Sequence, residues 1–147
     1  MTRLDTASAD ELGVIRALLE SAGLPTSDLE SARPKFTVVR EDGRVVATGA
    51  LQRFGSSALL RSVVVAEACR GSGLGQMIVS ELERQARAAQ ITELILLTQT
   101  AAEFFARQGY RAIERTSAPQ DMRASEEFHS LCPSSATCMV KSLPNAV

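Results

Sequence analysis

The stretch Val63-Val-Val-Ala-Glu-Ala-Cys-Arg-Gly-Ser-Gly-Leu-Gly75 leads from a run of valines into three glycines that alternate with other residues. A helical pattern follows at once, because apolar side chains recur every four residues at Leu74, Ile78, Leu82 and Ala86. A glycine-rich turn that enters a helix presents free backbone N–H groups and the positive end of the helix dipole. The stretch therefore predicts a binding site for a phosphate group.

Three forms of phosphate-binding turn can be compared with this stretch. A P-loop needs a lysine directly after its last glycine, but Gln76 and Met77 follow Gly75. A dinucleotide-binding turn, Gly-x-Gly-x-x-Gly, needs a glycine at the position of Gln76. The third form, Arg-x-x-Gly-x-Gly, is matched at each fixed position by Arg70-Gly-Ser-Gly73-Leu-Gly75. The sequence therefore favours the third form.

The flanking segments predict one mixed α/β domain. Asp42-Gly43 between two β-branched runs indicates a hairpin turn, and Ser8-Ala-Asp-Glu11 has the form of a helix capping box. No repeat, low-complexity segment or long linker divides the chain. We predict strands at residues 2–6, 36–40, 44–51, 58–65, 93–98, 110–115 and 136–142. Helices are predicted after the capping box and at residues 75–89 and 100–108. Residues 26–34 are predicted as an exposed connection with room for a helical turn at Ser27–Ser31, and residues 116–135 as a polar segment.

Composition and charge argue against several classes of function. The 147 residues are 45% apolar and 22% charged, which is ordinary for a globular protein. The 16 basic and 17 acidic side chains give a formal charge of −1, so electrostatics do not favour nucleic acid as a partner. No apolar run approaches the roughly 20 residues that span a bilayer, and the first residues lack the apolar core of a secretory signal. We expect a cytoplasmic protein with reduced thiols, no membrane partner and no metal site.

The loop at residues 70–75 resembles the coenzyme A pyrophosphate loop of the GNAT superfamily of acyl-CoA-dependent N-acetyltransferases. The likeness continues in Thr98-Gln-Thr-Ala101-Ala-Glu-Phe104-Phe105-Ala-Arg-Gln-Gly109-Tyr110, which is similar to the family pattern N-x-x-A-x-x-[FL]-Y-x-x-x-G-F. The resemblance implies a mixed α/β (α+β) sheet of six or seven strands, with an antiparallel N-terminal part, splayed parallel strands at its centre and helices on both faces. It also implies a single acetyltransferase domain over residues 1–147, with acetyl-CoA as co-substrate.

The same resemblance implies which residues hold the cofactor. The pantetheine arm is expected to pair with the backbone of the fourth strand, where an N–H of Val63 or Val65 would donate to the thioester oxygen. Such a donor typically contributes ~3 kcal/mol in the transition state. The predicted cofactor-binding residues are Val63, Val64, Val65, Arg70, Gly71, Ser72, Gly73, Leu74, Gly75, Gln76, Thr98 and Phe105.

Two positions depart from the family pattern. Phe105 stands where a tyrosine often protonates the departing sulfur, and Thr98 stands where asparagine is common. Because phenylalanine cannot donate a proton, either another group serves or the thiolate leaves unaided. The only tyrosine, Tyr110, is expected to pack in the core.

A general base is also needed, and the predicted fourth strand carries no carboxylate. Glu103, Glu126, Glu127 and His129 are the candidates, with proton loss through ordered water as an alternative. A histidine ordinarily titrates near pH ~6.5, which suits this role, and His129 is the only one in the chain. We therefore predict His129 as a catalytic residue.

Arg61 is the predicted contact for the acceptor. Strand alternation places it two residues before Val63 on the same face, near the cleft. A guanidinium there would hold a carboxylate of the acceptor by paired hydrogen bonds, and Arg53 on the preceding strand would assist.

The tail Arg123-Ala-Ser-Glu-Glu-Phe128-His-Ser-Leu131-Cys132-Pro-Ser-Ser-Ala136-Thr-Cys138-Met139 resembles the C-terminal signature of arsenic-resistance N-acetyltransferases, a branch of the GNAT superfamily. This implies a small-molecule amine as acceptor, with an arsenic-containing amino acid analogue as one option, and leaves a homodimer open. Cys132 and Cys138 either contact trivalent arsenic or are core residues. A GNAT acting on another amino acid or a protein N-terminus, and an inactive module that binds acyl-CoA or arsenic, are the alternatives.

Overall fold

Seven strands and five α-helices form the described part of the chain, residues 2–144 of a computed structural model. The predicted domain of residues 1–147 extends past this part at both ends. The strands are β1 (Thr2–Thr6), β2 (Lys35–Glu41), β3 (Arg44–Phe54), β4 (Ser57–Val65), β5 (Glu93–Thr98), β6 (Arg111–Ile113) and β7 (Thr137–Ser142). The helices are α1 (Leu12–Ser21), α2 (Leu29–Ala32), α3 (Leu74–Ala88), α4 (Ala102–Arg107) and α5 (Gln120–Arg123).

The seven strands form one mixed sheet in the order β1-β2-β3-β4-β5-β7-β6. From β1 to β4 each strand runs antiparallel to the next, and β4 and β5 form the parallel pair at the centre. β7 lies antiparallel between β5 and β6. The predicted fold class, a mixed sheet of six or seven strands, is therefore confirmed.

Local signals in the sequence explain how the first elements form. Asp42 and Gly43 have φ values of 51° and 83°, as a two-residue hairpin turn between twisted strands requires. The backbone N–H of Ser8 donates to the Glu11 carboxylate over 2.8 Å and forms the predicted capping box before α1. β1 and β5 begin and end at the predicted residues.

Helices cover both faces of the sheet. α3 packs through Leu82 on the face that includes Leu51 of β3, and α1 packs through Leu19 on the face that includes Ala50. Because Ala50 and Leu51 are successive strand residues, the two clusters lie on opposite faces. α5 adds Met122 to a third cluster around β5 and β7. No helix within residues 2–144 is long and apolar enough to cross a membrane.

Two connections are more buried than the sequence suggested. The segment at residues 116–135 contains α5 and a short π-helical turn, Glu127–Leu131, and it buries Phe128 and Glu127. The connection at residues 26–34 contains α2 and buries Asp28 and Leu29. Asp28 and Glu127 both contact Arg61 of β4, so the two segments contribute to the candidate site.

Candidate active site

A cleft opens between β4 and β5, because these strands pair over only three residues. Ser57 to Leu59 lie beside Glu93 to Ile95, and beyond them β4 pairs with β3 while β5 pairs with β7. The cleft holds a cavity of about 320 Å³ between residues 60–63 of β4 and residues 96–101 at the end of β5. The predicted splay of the central strands is therefore confirmed.

A β-bulge in β4 decides which side chains face the cleft. Thr48 of β3 lies opposite Val64 and Ala50 opposite Arg61, so Ser62 and Val63 share the position opposite Gly49. Ser62 adopts a φ of 59°, which inserts the extra residue and reverses the alternation after it. Val63 then packs on the face that α3 covers. Arg61 points to the other face, so the expectation that both side chains share a face is wrong.

The backbone of β4 turns polar groups toward the cleft. The N–H of Ala66 donates to the carbonyl of Val46 in β3 over 2.7 Å, so the preceding Val65 directs its N–H and C=O to the opposite edge. Arg70 Nε donates to that Val65 carbonyl over 3.1 Å. This arrangement is what a pantetheine arm pairing with β4 would need.

The predicted phosphate loop lies at the start of α3. Gly71 and Gly73 have φ values of 84° and 85°, and Gly73 is the N-cap of the helix. The first intrahelical bond in this turn runs from the Met77 N–H to the Gly73 carbonyl, so the N–H groups of residues 74–76 have no acceptor within the helix. Gly73 and residues 70–72 are exposed, while Leu74 is buried and anchors the turn. The loop is therefore open to an anion.

Thr98 and Phe105 line the cleft but have structural partners as well. The Thr98 hydroxyl accepts the N–H of Ala101 over 3.0 Å at the start of α4. Phe105 packs edge-to-face on Phe104 and Tyr110, with ring centroids 5.1 and 5.6 Å away. Tyr110 donates its hydroxyl to the buried Glu83, and burial raises its pKa above the usual value. Tyr110 is thus a core residue, as expected.

His129 does not reach the cleft. It lies in the π-helical turn with its side chain exposed, and the residues lining the cavity do not include it. Glu127, two residues earlier in the same turn, is buried and lines the cavity. The geometry therefore supports Glu127, and not the predicted His129, among the candidate bases.

Arg61 sits at the closed end of the cleft with its guanidinium already paired. Its two terminal nitrogens donate to the two carboxylate oxygens of Asp28, each over 2.6 Å. Gln52 accepts a further bond from Nη1 over 3.0 Å. All of Arg61 is buried, so it does not present a free fork to an acceptor carboxylate, in contrast to the expectation. Arg53, its predicted assistant, is exposed and donates to the Gly55 carbonyl over 2.8 Å.

Two carboxylates face this one guanidinium. Glu127 Oε1 lies 3.2 Å from Arg61 Nε, an ion-pair contact whose geometry does not make a hydrogen bond. Burial raises the pKa of Glu127 to about 7, with Arg61 opposing the rise and Asp28 adding to it. With both acids ionised the group carries one excess negative charge, which favours a cation such as an ammonium group in the cavity.

Ser62 is a lining residue of the same cavity and has an unpaired hydroxyl. The residue is 8% exposed, and Oγ is buried without a hydrogen-bond partner among residues 2–144. A buried polar atom without a partner is unusual in folded proteins. Sequence reasoning missed Ser62 and Asp28, because a bulge and a long-range ion pair leave no spacing signal.

The two tail cysteines lie in different surroundings. Cys132 is half-buried and lines the cavity, whereas Cys138 is buried in the cluster around β5 and β7. Burial raises the pKa of each thiol to about 11. Both groups are therefore protonated at neutral pH, which weakens them as ligands for a soft metal centre.

A comparison with known families decides the class of this chain. Residues 32–112, more than half of it, match the model of the acetyltransferase (GNAT) domain. The chain belongs to the GNAT acetyltransferase family. The predicted enzyme class, an acyl-CoA N-acyltransferase, and the predicted co-substrate, acetyl-CoA, are thus confirmed at the level of the family.

Curated relatives of this chain include proteins named amino-acid acetyltransferase. An amino-acid acetyltransferase of Mycobacterium tuberculosis (strain ATCC 25618 / H37Rv) is 38% identical over 93 residues, which are 63% of this chain and 50% of that protein. Another, of Edwardsiella ictaluri (strain 93-146), is 27% identical over 127 residues, 80% of this chain and 29% of that protein. The chain therefore spans half or less of the length of these relatives.

Solved structures show the same architecture. Rv2747 from Mycobacterium tuberculosis, in complex with CoA, superimposes with a TM-score of 0.83 at 28% identity, covering 97% of this chain and 99% of that one. N-acetylglutamate synthase from Neisseria gonorrhoeae, complexed with coenzyme A and N-acetyl-glutamate, gives a TM-score of 0.84 at 20% identity, covering 99% of this chain and 36% of that one. The second likeness is one of fold.

Proposed function

We propose that the GNAT chain transfers the acetyl group of acetyl-CoA to the primary amine of a small, amino-acid-like molecule. The observation that carries this proposal is the cleft between β4 and β5. The cavity there is lined by Arg61 and Glu127, and an adjoining cavity, which shares Val63 and Phe105 with it, is lined by Arg70 and Gly75 at the start of α3. A cofactor with its phosphates at the start of α3 would place its acetyl group between the strands, beside an amine in the cavity that Arg61 and Glu127 line.

The cofactor half of the proposal rests on backbone groups. The unpaired N–H groups at the start of α3 would hold the pyrophosphate, and the cleft edge of β4 would pair with the pantetheine arm. An N–H of Val63 or Val65 would then donate to the thioester oxygen as negative charge develops there. Phe105 walls the cleft with an apolar surface, so the thiolate would leave without a tyrosine proton donor.

The acceptor half rests on size, charge and relatives. The cavity at the closed end is small and carries excess negative charge, which suits the ammonium form of a small amine better than a protein surface. Relatives named amino-acid acetyltransferases support an amino acid as the first acceptor to test. The resemblance of the tail at residues 123–139 to arsenic-resistance enzymes supports an arsenic-containing amino acid analogue as the second.

A thiol-release assay tests the proposal directly. The chain is incubated with acetyl-CoA and, in parallel, with the common amino acids, an arsenic-containing amino acid analogue, simple alkylamines and peptides with free N-termini. We expect CoA release with at least one small amino acid or analogue, and an N-acetylated product by mass spectrometry. Turnover on peptides alone would redirect the proposal to a protein N-terminus.

A binding measurement separates an enzyme from a binding module. Calorimetric titration with CoA reports the cofactor site whether or not the chain is active. Tight CoA binding without thiol release across the whole panel would favour a catalytically inactive module. Absence of both would contradict the proposed function.

A further inference from the structure

We propose that Glu127 is the catalytic base that takes the proton of the acceptor ammonium, and that Arg61 and Asp28 are positioning residues that hold it at the closed end of the cleft. This inference rests on the proposed function. Glu127 lines the same cavity as residues 60–63 of β4, the strand whose backbone would hold the thioester.

The position of Glu127 separates it from the other acidic candidates. Its side chain is 5% exposed, and it is the one carboxyl group among the described residues that line the cavity. Glu103 and Glu126 are exposed. A base must lie within hydrogen-bond reach of the proton it removes, directly or through one water, so only a carboxylate in the cavity meets this requirement.

The contacts around Glu127 hold it without neutralising it. Arg61 Nε faces its carboxylate from β4 at 3.2 Å but forms no hydrogen bond with it, while the two terminal nitrogens donate to Asp28. Asp28 faces the same guanidinium from the start of α2, and Cys132 follows in the tail as a protonated thiol. Arg61 therefore fixes the place of the carboxylate, while Asp28 keeps that guanidinium from suppressing its basicity.

Glu127 would accept one proton of the acceptor during acetyl transfer. The acceptor enters as an ammonium, and Glu127 takes one N–H proton to give a neutral amine and a carboxylic acid. The amine nitrogen forms a bond to the thioester carbon, and the oxygen takes up the electron pair of the C=O bond. Collapse restores the C=O bond and breaks the C–S bond, so CoA leaves as a thiolate. The second nitrogen proton protonates this thiolate through solvent, and Glu127 returns its proton to solvent.

The ionisation of Glu127 suits this step. A base works best when its pKa lies near the working pH, and burial brings the pKa of Glu127 to about 7. An ordinary exposed carboxylate is a much weaker base. The buried position of Glu127 in the cavity thus accounts both for its basicity and for its reach to an amine bound there.

The pH profile of kcat/KM for the acceptor tests the inference in wild type, Glu127→Gln and Glu126→Gln. The last variant removes the same charge from the exposed neighbour and is the matched control. We expect Glu127→Gln to lose about 100-fold or more at pH 7 and to lose the rise of the profile near pH 7. Glu126→Gln should keep the wild-type activity at pH 7 and the rise of the profile near pH 7. The Kd for CoA should agree within threefold among the three proteins.

Asp28→Asn keeps the inference testable if Glu127→Gln folds poorly. Removing the Asp28 charge lowers the pKa of Glu127, so the midpoint of the profile should move to lower pH. A purely structural role for the group would reduce activity without moving the midpoint. The inference about Glu127 would be overturned if kcat/KM of Glu127→Gln stayed within fivefold of wild type. It would also be overturned if the midpoint of the pH profile did not move in Asp28→Asn. Neither result would contradict the proposed function. No turnover in wild type would overturn the proposed function and the inference with it.

Discussion

Ser62 is the residue at which the geometry of the site is set. Its positive φ creates the bulge that sends Val63 toward α3 and Arg61 toward the opposite face. A non-glycine residue in this region costs on the order of 1–3 kcal/mol and persists where the surroundings enforce it. Ser62 also lines the cavity and carries a buried hydroxyl without a hydrogen-bond partner among the described residues. Both the positive φ and the unpaired hydroxyl cost stability, and active sites are where such costs concentrate.

Ser62→Ala should separate the effect of the Ser62 hydroxyl on stability from its effect on acceptor binding. Without the unpaired hydroxyl, the free energy of unfolding in urea should rise by about 1 kcal/mol, because no described hydrogen bond is lost. The KM for the acceptor should rise about fivefold or more if the hydroxyl contacts the amine, while the KM for acetyl-CoA should change little. A loss of stability of similar size would contradict this, since it would show that the hydroxyl has a partner.

Residue-level prediction from the sequence succeeded where a backbone pattern carried it. The Arg-x-x-Gly-x-Gly spacing placed Gly73 at the start of a helix, where the structure has it as N-cap. The prediction that Arg61 and Val63 share one face of β4 was wrong, because strand alternation holds only for regular strands. The sequence around Ser62 carries no signal that predicts a bulge. His129 was favoured for its chemistry, but the π-helical turn sends Glu127 inward in its place.

At the scale of elements, α3 is the helix that connects the phosphate loop to the core. Its buried face packs on β3, and Ile78 and Leu82 of that face lie close to Gly49. A Cβ at this position would lie 2.5 Å from Ile78 Cγ2 and 2.7 Å from Leu82 Cδ1. The glycine therefore allows Ile78 and Leu82 of α3 to pack directly against the backbone of β3.

Gly49→Ala should destabilise the fold through this contact. Both neighbours are fully buried, so the added methyl forces them apart, and we expect a loss of about 1–3 kcal/mol in urea unfolding. Gly13→Ala is the matched control, because a Cβ there meets nothing within 4 Å on the exposed side of α1. That change should stabilise by about 0.5–1 kcal/mol through helix propensity. Equal effects at the two glycines would contradict the close approach of α3.

Substitution of Gly73 tests the start of α3 as the cofactor site. Gly73→Ala and Gly73→Val share the cost of a φ of 85°, but only valine adds a branched side chain beside the N–H groups. We expect the calorimetric Kd for CoA to rise about tenfold or more in Gly73→Val and less in Gly73→Ala. Wild-type affinity in both would place the pyrophosphate elsewhere.

Elements with strong local signals were predictable, and elements formed by tertiary contacts were not. The hairpin at Asp42 and Gly43, the capping box at Ser8 and the apolar run of β5 each encode their own structure. The tail carries no such periodicity, because α5 has four residues and the turn after it is π-helical. Its burial depends on Met122 and Phe128 meeting a sheet that already exists.

At the scale of the whole molecule, the tail and the α1–β2 connection meet over the central strand. Asp28 comes from the connection, Glu127 from the tail and Arg61 from β4, so three distant parts of the chain depend on one ion cluster. Removal of the cation would leave two buried carboxylates uncompensated, which typically costs about 3–5 kcal/mol. The cluster thus joins the connection and the tail to β4 at the end of the cavity, and it also places negative charge there.

The acid side of the stability profile separates this cluster from the surface ion pairs. A hydrogen bond from Arg40 lowers the pKa of Glu11 to about 2, and one from Arg84 does the same for Glu81. A carboxyl group whose pKa falls on folding stabilises the native state above its unfolded value of 4.5, and this stability is lost as the pH drops toward 2. The stability that these two ion pairs contribute therefore changes at a lower pH than the range in which Glu127 titrates.

Glu127 should act in the opposite direction between pH 4.5 and 7. Its pKa rises from 4.5 to about 7 on folding, so in this window the native state holds a proton that the unfolded chain has lost. The free energy of unfolding should therefore fall as the pH rises through the window and level off above it. In Glu127→Gln this slope should disappear, so the variant should gain about 1–3 kcal/mol relative to wild type between pH 5 and 7.5. Urea unfolding at five pH values measures the difference, with Glu126→Gln expected to follow wild type. Parallel curves for Glu127→Gln and wild type would mean that this carboxyl group titrates as it does in water, and an amine in the cleft would then face a weak base.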